Sequence, residues 1–599
     1  MKSISLLKQE KGGTAIIFLF IMSMLAALVV GALQMTTLNL ESSNAQSRGK
    51  RAFYAAEVGL DLAVNDIINQ LENLTIYTTS ADFGGDAEGY LYQNNYRNHN
   101  VKYKITNPLQ SYLYQTILGN GVMSHFAHTY EIEAQSTSLN DSSKETLREN
   151  IRILETPLVQ YYIFYGGGGN AADLEILPGP AMNSWGRIHS NGDIYIGANN
   201  AFNLRNYDDV GNLSPHFISA GGQIFAQRKN DGTAYNPTNV TIKIDDPGTT
   251  VFAPTRVIPV GGIIDANETT QEPLFNDYVL INEQQYQAPG QTQFLRNGFY
   301  EDRSKIPGRP GIDGITIVGR PSDGGIQIFV SRPVLTDVTA DVLAGNLPSG
   351  GVLPFAPVRD YSATSDLCED RQGNRFTDFT DIDLYLLGQW YDDYLSNQGL
   401  TWGQNGMLIY TSRSPTGTIP YPNGDARFEG IRLLAAPGSP AQVWTRTTIA
   451  TDNPVYIQGD FNTVNTQGVA IVADAINILS NGFATKACNS GLTNATTTTI
   501  NAALFGGNVP TPAGGGIYSG GLENYPRFHE NWTGINCNIR GSFINLWISF
   551  QANGGWVYGG NRYTAPGRNW GWDVRFGNPN FWPPFIPSIF SVERVGFLE

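Results

Sequence analysis

An uncharged, mostly apolar run begins directly after a short basic leader, and this junction constrains the chain more than any other feature. The run extends from Thr14 to Leu40, with Lys2, Lys8 and Lys11 before it. A helix needs about 20 apolar residues to cross a bilayer, so the run is long enough, and no small-residue cleavage site of the secretory type follows it. Basic side chains before a span hold that end in the cytoplasm. The chain is therefore expected to stay anchored in a membrane, with most of its residues outside the cytoplasm.

The helical pattern continues beyond the apolar run. After Glu41, apolar side chains recur at steps of three and four residues, which places them on one face of a helix. These residues are Phe53, Ala56, Leu60, Val64, Ile67 and Leu71. The sequence predicts one helix over 14–72, a membrane span that continues as an amphipathic segment with a packing face.

The leader ends in Lys11-Gly12-Gly13, and the apolar run is followed by Ala52-Phe-Tyr-Ala-Ala-Glu-Val-Gly-Leu60. This order resembles the N-terminus of type IV pilins, and more narrowly that of the PilX-like minor pilins. In that family a prepilin peptidase cuts after the leader glycine on the cytoplasmic side. The resemblance implies a leader over 1–13, cleavage after Gly13 with Gly12 as the alternative, and Thr14 as the first mature residue.

The same resemblance implies partners and a location. The partners are other pilins and the inner-membrane pilus assembly platform, besides the prepilin peptidase and the membrane itself. The chain would lie in the inner membrane with a periplasmic ectodomain before assembly, and at the cell surface or in the pilus afterwards. Whether the system is a pilus or a secretion pseudopilus stays open.

One position departs from the family pattern. Pilins of the filament body carry Glu at the fifth mature position, where its carboxylate pairs with the terminal ammonium of a neighbouring subunit. Phe18 stands there in this chain, or Ile17 if the cut follows Gly12. A carboxylate in lipid is costly without a partner, so its presence in those pilins implies the pairing. Neither Phe18 nor Ile17 has a carboxylate that could pair with an ammonium. This departure favours a subunit that starts or decorates a filament, with a membrane-anchored protein that never polymerises as the alternative.

Charge and cysteine content narrow the function classes further. The 599-residue chain has a formal net charge of -15 and a pI near 4.9, so a nucleic-acid-binding surface is not expected. Only Cys368, Cys488 and Cys537 are present, too few for a disulfide-built scaffold. Cys488 and Cys537 lie in the same C-terminal region, and both a disulfide between them and buried thiols remain open.

The remaining chain predicts an α+β protein with a long N-terminal pilin-type helix, a small antiparallel sheet and a large all-β domain. Alternation around Tyr130 and Ile151, separated by a turn at Leu139 to Ser143, predicts an antiparallel hairpin in a pilin-like head over 73–160. Glycines after Tyr165 mark a boundary, beyond which 161–599 is β-rich, with a division considered near 345.

Three segments in the β-rich region are similar to one another, each a short apolar strand bounded by turn residues. Stacked strands of this kind favour a parallel β-helix-like domain, with a β-sandwich as the alternative. Thr380 is a candidate cap for a short helix over 380–395. The three segments are Gly186 to Ile196, Asn453 to Phe461 and Val469 to Leu479. They also resemble the C-terminal part of large PilX-like proteins, a resemblance that implies an association with pilus-like systems but brings no established biochemical activity.

Several clusters carry residue types found in metal or catalytic sites. Asp378, Asp381 and Asp383 are weak calcium candidates, because they fit no EF-hand loop and suit helix capping better. His125 and His128 alone are too few ligands for zinc. No cofactor is expected.

A hydrolase triad is considered at His189, Ser190 and Asp193. However, His189 and Ser190 point to opposite faces of a strand, and Asp193 is expected to bond turn amides. Acidic residues such as Asp460 and Asp474 keep a polysaccharide-cleaving β-helix enzyme as a third alternative, although nothing ties them to one face. The chain is expected to be non-enzymatic.

Six of the ten tryptophans fall in the last seventy residues, among several prolines. Buried, they would cap a stack of strands; exposed, they would bind a surface glycan or a protein partner, which is the basis of an adhesin alternative. They are Trp532, Trp547, Trp556, Trp570, Trp572 and Trp582.

Overall fold

The fold is that of a computed structural model. It describes residues 11–72, 90, 94–118, 121–141, 143–167, 172–234, 240–243, 255–257, 263–264, 278–287, 289–308, 311–320, 324–361, 366–369, 371, 373–414, 427–512, 519–555 and 562–598.

A single helix, α1 (Lys11–Glu72), opens the chain and packs its second half on an antiparallel sheet. The first four strands of this head sheet follow in order, and each pairs with the next. They are β1 (Asn94–Tyr96), β2 (His99–Leu118), β3 (Gly121–Ser138) and β4 (Lys144–Pro157). The predicted hairpin is β3–β4, in which Tyr130 lies opposite Ile151.

The β-rich part, here called the coil, begins with three strands per turn, each turn visiting three sheets. The strands of this first arm are β5 (Ile163–Tyr165), β6 (Leu174–Ile176), β7 (Met182–Trp185), β8 (Arg187–Ser190), β9 (Ile194–Ile196), β10 (Phe202–Arg205), β11 (Phe217–Ala220), β12 (Ile224–Phe225), β13 (Val240–Lys243), β14 (Thr255–Val257), β15 (Ile263–Ile264) and β16 (Val279–Leu280).

The second arm alternates between two sheets over most of its length and carries three short helices. Its elements are α2 (Phe299–Ser304), β17 (Asp313–Val318), β18 (Gln327–Val330), β19 (Thr336–Asp337), α3 (Thr339–Ala344), β20 (Val358–Tyr361), β21 (Cys368–Glu369), β22 (Arg375–Ile382), α4 (Leu384–Asn397), β23 (Met407–Ser412), β24 (Phe428–Leu434), β25 (Thr447–Thr451), β26 (Val455–Gln458), β27 (Val469–Val472), β28 (Ile476–Leu479), β29 (Thr498–Asn508), β30 (Pro526–Phe528), β31 (Asn536–Ile548) and β32 (Gly567–Gly571).

The two arms meet in the middle of one long sheet, because β5 pairs in parallel with β31. Buried apolar residues stand in register across this sheet and join both arms in one core, since parallel rungs each need a neighbour to cover their inner face. The ladder runs through Ile315, Ile409, Ile449, Ile471, Leu504, Phe543, Ile163, Ile188, Ile218 and Val279. The three repeated segments of the sequence contribute strands to this sheet and to two other sheets, and these strands pair in parallel with their neighbours.

The chain enters the coil at β5 and leaves it after β32, and both of these strands pair with β31. The chain then returns to the head. A final strand, β33 (Ser588–Leu598), pairs antiparallel with β4 and completes the head sheet in the order β1-β2-β3-β4-β33. The expected division into 73–160 and 161–599 is therefore wrong at its C-terminal end, because 588–598 belongs to the head and the coil is inserted between β4 and β33. Position 345 directly follows α3 and lies along the sequence between β17 and β23; because these two strands pair directly, a division there would separate neighbouring strands of one sheet.

The cap of the short helix also differs from the prediction. α4 begins after Asp383, whose Oδ1 accepts hydrogen bonds from the main-chain N–H groups of Tyr385 and Leu386 at 3.0 Å each. Thr380 lies within β22, where it pairs with Ile431 of the neighbouring strand. An Asp is as good a cap as Thr, and the strand continues further than its polar sequence indicated.

Candidate membrane and assembly interface

The first part of α1 is a bare apolar rod. Its side chains from Ala15 to Leu40 are all exposed, and by length and composition the helix is long and apolar enough to cross a membrane. Phe18 and Ile17, the two candidates for the fifth mature position, are 65% and 61% exposed. Gly12, Gly13 and Thr14 lie in the first turns of α1.

The second part of α1 approaches the head sheet through small residues. Ala52, Ala55, Ala56 and Ala63 are buried, and Gly59 lies so near the sheet that a Cβ there would be 2.9 Å from Val101 Cγ1 and 3.0 Å from the Cβ of Ala134. Small side chains let a helix backbone come close to the surface that it covers. Close approach, rather than bulk, fixes α1 at this end of the interface.

Larger side chains complete the packing further along the helix. Leu60 and Ile67 are buried in a cluster with Tyr103 of β2, Ile132 of β3 and Ile151 of β4. These residues alternate along their strands, so the same face of each strand points at α1. The head core is therefore built by the helix and the sheet together.

Polar contacts fasten the helix at its edges. Ser136 donates to the main-chain oxygen of Ala52 at 2.6 Å, and the Tyr103 hydroxyl donates to Asp66. Arg594 of β33 contacts both Asp61 of α1 and, at 3.4 Å, the buried carboxyl of Glu149. Burial raises the pKa of Glu149, although the Arg594 guanidinium opposes this. One residue of the returning strand thus joins the helix to the sheet.

The predicted packing face corresponds in part to the buried one. Ala56, Leu60 and Ile67 are buried against the head, and Val64 is half-buried. Phe53 is 37% exposed and is not part of the core that α1 forms with the head sheet, so its packing against neighbouring pilin helices stays a prediction. The side chain of Leu71 lies outside the described residues. Sequence reasoning missed Ala52, Ala55 and Ala63, because alanine adds little to an apolar period; their spacing of three and eight residues was the available signal.

A groove of about 410 Å³ runs beside the docked part of α1, between the helix and the β1–β2 turn. Its lining combines charges of both signs with the exposed ring of Tyr54. Among the described residues, the charged members are Arg51, Glu57, Asp61 and Arg97. A surface of this kind can pair with charged residues of another helix.

The residues considered for a hydrolase triad do not form one. His189 contacts Ser219 Oγ through Nδ1 at 2.7 Å and Asn191 Oδ1 through Nε2 at 3.1 Å. Ser190 donates to the main-chain oxygen of Ala172, and Asp193 accepts the main-chain N–H of Gln223 at 2.8 Å. Burial lowers the pKa of His189 to about 4, so its ring is neutral at physiological pH.

The three calcium candidates are each committed to another partner. The two carboxylate oxygens of Asp381 accept hydrogen bonds from Nε and Nη2 of Arg432, at 2.7 and 2.9 Å. Asp378 pairs with Arg427 at 2.5 Å, and Asp383 caps α4. Among the described residues, no group of three or more His, Cys, Asp or Glu side chains is arranged to hold a metal ion.

The histidines of β3 are likewise engaged separately. His125 contacts Thr156 Oγ1 at 2.6 Å and Thr116 Oγ1 at 2.8 Å, whereas His128 contacts Glu155 at 3.2 Å. These contacts of the two rings go to different residues.

The acidic residues considered for glycoside cleavage accept hydrogen bonds from main-chain N–H groups instead. Asp474 is buried and accepts three main-chain N–H groups, those of Phe550, Gln551 and Ala552. Burial nevertheless raises its pKa to about 6. Asp460 accepts the N–H of Thr499 at 2.8 Å.

The cysteine pairing differs from the one considered. The disulfide joins Cys368 to Cys488, with Cα atoms 5.0 Å apart, and Cys537 is a buried free thiol. Cys537 lies in β31 inside the coil, where burial raises its pKa, whereas β21 brings Cys368 beside the loop that carries Cys488. Closeness along the chain was a poor guide to closeness in space.

Five of the six C-terminal tryptophans are buried, and Trp556 lies outside the described residues. Trp572 donates its indole N–H to the Val159 oxygen and Trp582 to the Phe576 oxygen, at 2.7 and 2.8 Å. Trp572 and Trp582 lie where the coil meets the head, since Trp582 also stacks edge-on against Phe126 of β3, whereas Trp547 lines a groove on the coil.

The similarity of this chain to known proteins is weak. No family model matches the chain, and no curated protein matches it. Among solved structures, the chain is similar to the crystal structure of the competence-associated pilin ComZ from Thermus thermophilus. The identity is 10%, the match covers 92% of this chain and 97% of that one, and the TM-score is 0.22.

Proposed function

We propose that this chain is a non-enzymatic, pilin-like assembly protein, a minor or tip subunit of a type IV pilus or related pseudopilus that displays the coil outside the cell. One observation carries the proposal: a single helix presents a fully exposed apolar half and docks its other half on an antiparallel sheet. The free half suits a membrane first and a bundle of similar helices later, while the docked half holds the head at a fixed distance.

The partners follow from this arrangement. Other pilin helices would cover the apolar half of α1, and the inner-membrane platform would receive it during assembly. Before assembly the chain lies in the inner membrane with the coil in the periplasm; afterwards it is at the cell surface or in the pilus. A prepilin peptidase would remove 1–13.

The position in the filament follows from Phe18. A side chain without a carboxylate cannot answer the ammonium of a neighbouring subunit, so the chain suits the first position rather than the filament body. Immunogold labelling of the coil should find it at pilus ends. Labelling along the whole length would contradict the tip assignment.

Cross-linking tests the assembly claim directly. Phe53→Cys places a thiol at a partly exposed position of α1, whereas Ala56→Cys places one at a fully buried position. We expect Phe53→Cys to cross-link to other pilins in cells and the buried control, Ala56→Cys, to do so far less. Equal cross-linking of the two, or none at Phe53, would contradict packing between pilin helices.

Processing is tested at the glycines. Gly13→Leu should retain the leader in cells that contain the peptidase, while Gly12→Leu serves as the neighbouring control. Normal processing of Gly13→Leu with failure of Gly12→Leu would assign the cut to the alternative site. Normal processing of both would refute the leader assignment.

A second candidate function, glycan binding by a membrane-anchored adhesin, is favoured by a groove of about 1080 Å³ on the coil. Its described lining has no charged side chain and includes Tyr286, Trp547 and Phe550 with the amide of Gln285. Aromatic rings beside amides suit neutral sugar rings. The same lining lacks the paired carboxylates that the polysaccharide-cleaving alternative requires.

A glycan array separates the two candidate functions. The full chain in detergent should bind a neutral glycan if the adhesin hypothesis holds, and Tyr286→Ala should remove that binding while Tyr54→Ala on α1 leaves it unchanged. Capture of pilins without glycan binding supports assembly alone.

A further inference from the structure

Carboxylates bridge successive rungs at one corner of the first arm of the coil. Asp173, just before β6, accepts the main-chain N–H of Asp193 at 2.9 Å, and Asp193 in turn accepts that of Gln223, just before β12, at 2.8 Å. Each carboxylate thereby ties its rung to the next. Asp173 has a second oxygen, which is not used in this ladder.

That second oxygen meets a buried lysine. Lys229 Nζ lies 2.9 Å from Asp173 Oδ2, and the two side chains are 2% and 14% exposed. Lysine is almost never buried to this degree unless it is paired. The desolvation of two charges can exceed their mutual attraction, so a buried ion pair is a costly way to fasten a loop.

A third ionisable group stands beside the pair. Glu175, in β6 and two residues beyond Asp173, is 3% exposed. The main-chain N–H of Lys229 donates to its carboxyl, and the Lys229 charge acts on it. Burial raises the pKa of Glu175, which favours a carboxyl that can hold and release a proton.

We propose that Lys229 and Asp173 form an intramolecular amide bond, with Glu175 moving the protons. Lys229 gives a proton to Glu175, and its Nζ then attacks Cγ of Asp173. Glu175 gives that proton to an oxygen of Asp173, takes a second proton from the attacking nitrogen and passes it to the same oxygen, which leaves as water. One ammonium and one carboxylate become one amide and one water, so the reaction needs no oxidant or reductant.

The bond would join the start of β6 to the segment after β12. These two strands belong to one sheet and are separated in it by β9. A covalent link across three rungs prevents the end of the first arm from peeling away from β6. It also removes both buried charges while keeping the atoms in nearly the same places.

The full chain in detergent provides the test by mass spectrometry after reduction of the disulfide. We expect an intact mass lower by one water than the mass calculated from the observed N-terminus. We also expect a branched tryptic peptide containing Asp173 and Lys229, because trypsin does not cut after an acylated lysine. An intact mass equal to the calculated mass, with cleavage after Lys229, would overturn the proposal.

Matched variants separate the bond from the ion pair. Lys229→Arg keeps a cation but cannot form the amide, so the branched peptide should disappear. Lys305→Arg alters a more exposed pair with Glu301, 2.6 Å apart, and should leave the branched peptide unchanged. Glu175→Gln should slow the appearance of the branched peptide after refolding; an unchanged rate in a variant whose circular dichroism is native would refute the role of Glu175.

Discussion

The close approach of α1 to the head sheet gives a sharp test at Gly59. A Cβ at this position would lie 2.9 Å from Val101 Cγ1 and 3.0 Å from the Cβ of Ala134, whereas a Cβ at Gly49, in the same helix, would meet nothing within 4 Å. Ala instead of Gly favours a helix by roughly 1 kcal/mol at either site. At Gly59 alone, overpacking costs about 1 to 3 kcal/mol.

The gain in helix propensity is the same at both sites and cancels. Gly59→Ala is therefore expected to lower the free energy of unfolding, relative to Gly49→Ala, by the overpacking cost of about 1 to 3 kcal/mol. Native-state hydrogen exchange of the β3 amides measures it, because β3 lies directly under the helix. Gly59→Ala should expose these amides more often than Gly49→Ala does. If both variants protect β3 equally, the helix does not approach the sheet as closely as the structure has it.

Three further predictions concern packing, protonation and the disulfide. Leu60→Ala should lower the free energy of head unfolding by roughly 2 to 5 kcal/mol in denaturant titration; a change near zero would contradict the burial of Leu60. Burial raises the pKa of Asp474 to about 6, so the folded state binds the Asp474 proton more tightly than the unfolded chain does. The stability of the native chain relative to Asp474→Asn should therefore be greatest below about pH 4. It should fall by up to about 3 kcal/mol as the pH rises through 6 and on to 7. A pH-independent difference would refute that assignment. The double variant Cys368→Ser, Cys488→Ser should lower the free energy of unfolding by about 2 to 4 kcal/mol, whereas the control variant Cys537→Ser leaves the disulfide intact. Equal thermal stability of the double variant and the native chain would contradict a stabilising disulfide.

The sequence predicted those parts of the fold that local periodicity determines. The length of α1 and the β3–β4 hairpin follow from steps of 3.6 and 2 residues, and they were found at nearly the expected positions. The rungs were recognisable from short apolar strands between turn residues. Their parallel stacking was favoured because a single rung cannot cover its own inner face.

Long-range pairing was beyond the reach of the same arguments. Nothing in the residues of β33 distinguishes another rung of the coil from a strand of the head, because both alternate apolar and polar residues. Cys368 lies 120 residues from its partner Cys488, and only the fold brings them together. At the interface, Leu60 and Ile67 were found by their size, whereas Ala52 and Gly59 contribute by their lack of size.

The return of β33 sets an order for the making of this protein. Arg152 of β4 pairs with Glu593 of β33 across 441 residues, so a ribosome must add the whole coil before the edge of the head sheet can close. Until then α1 can already lie in the bilayer, while β4 presents unpaired main-chain groups and Glu149 lacks Arg594. A chain interrupted anywhere in the coil would keep this open edge. The paired edge of the head sheet therefore exists only in a chain whose coil has been completed.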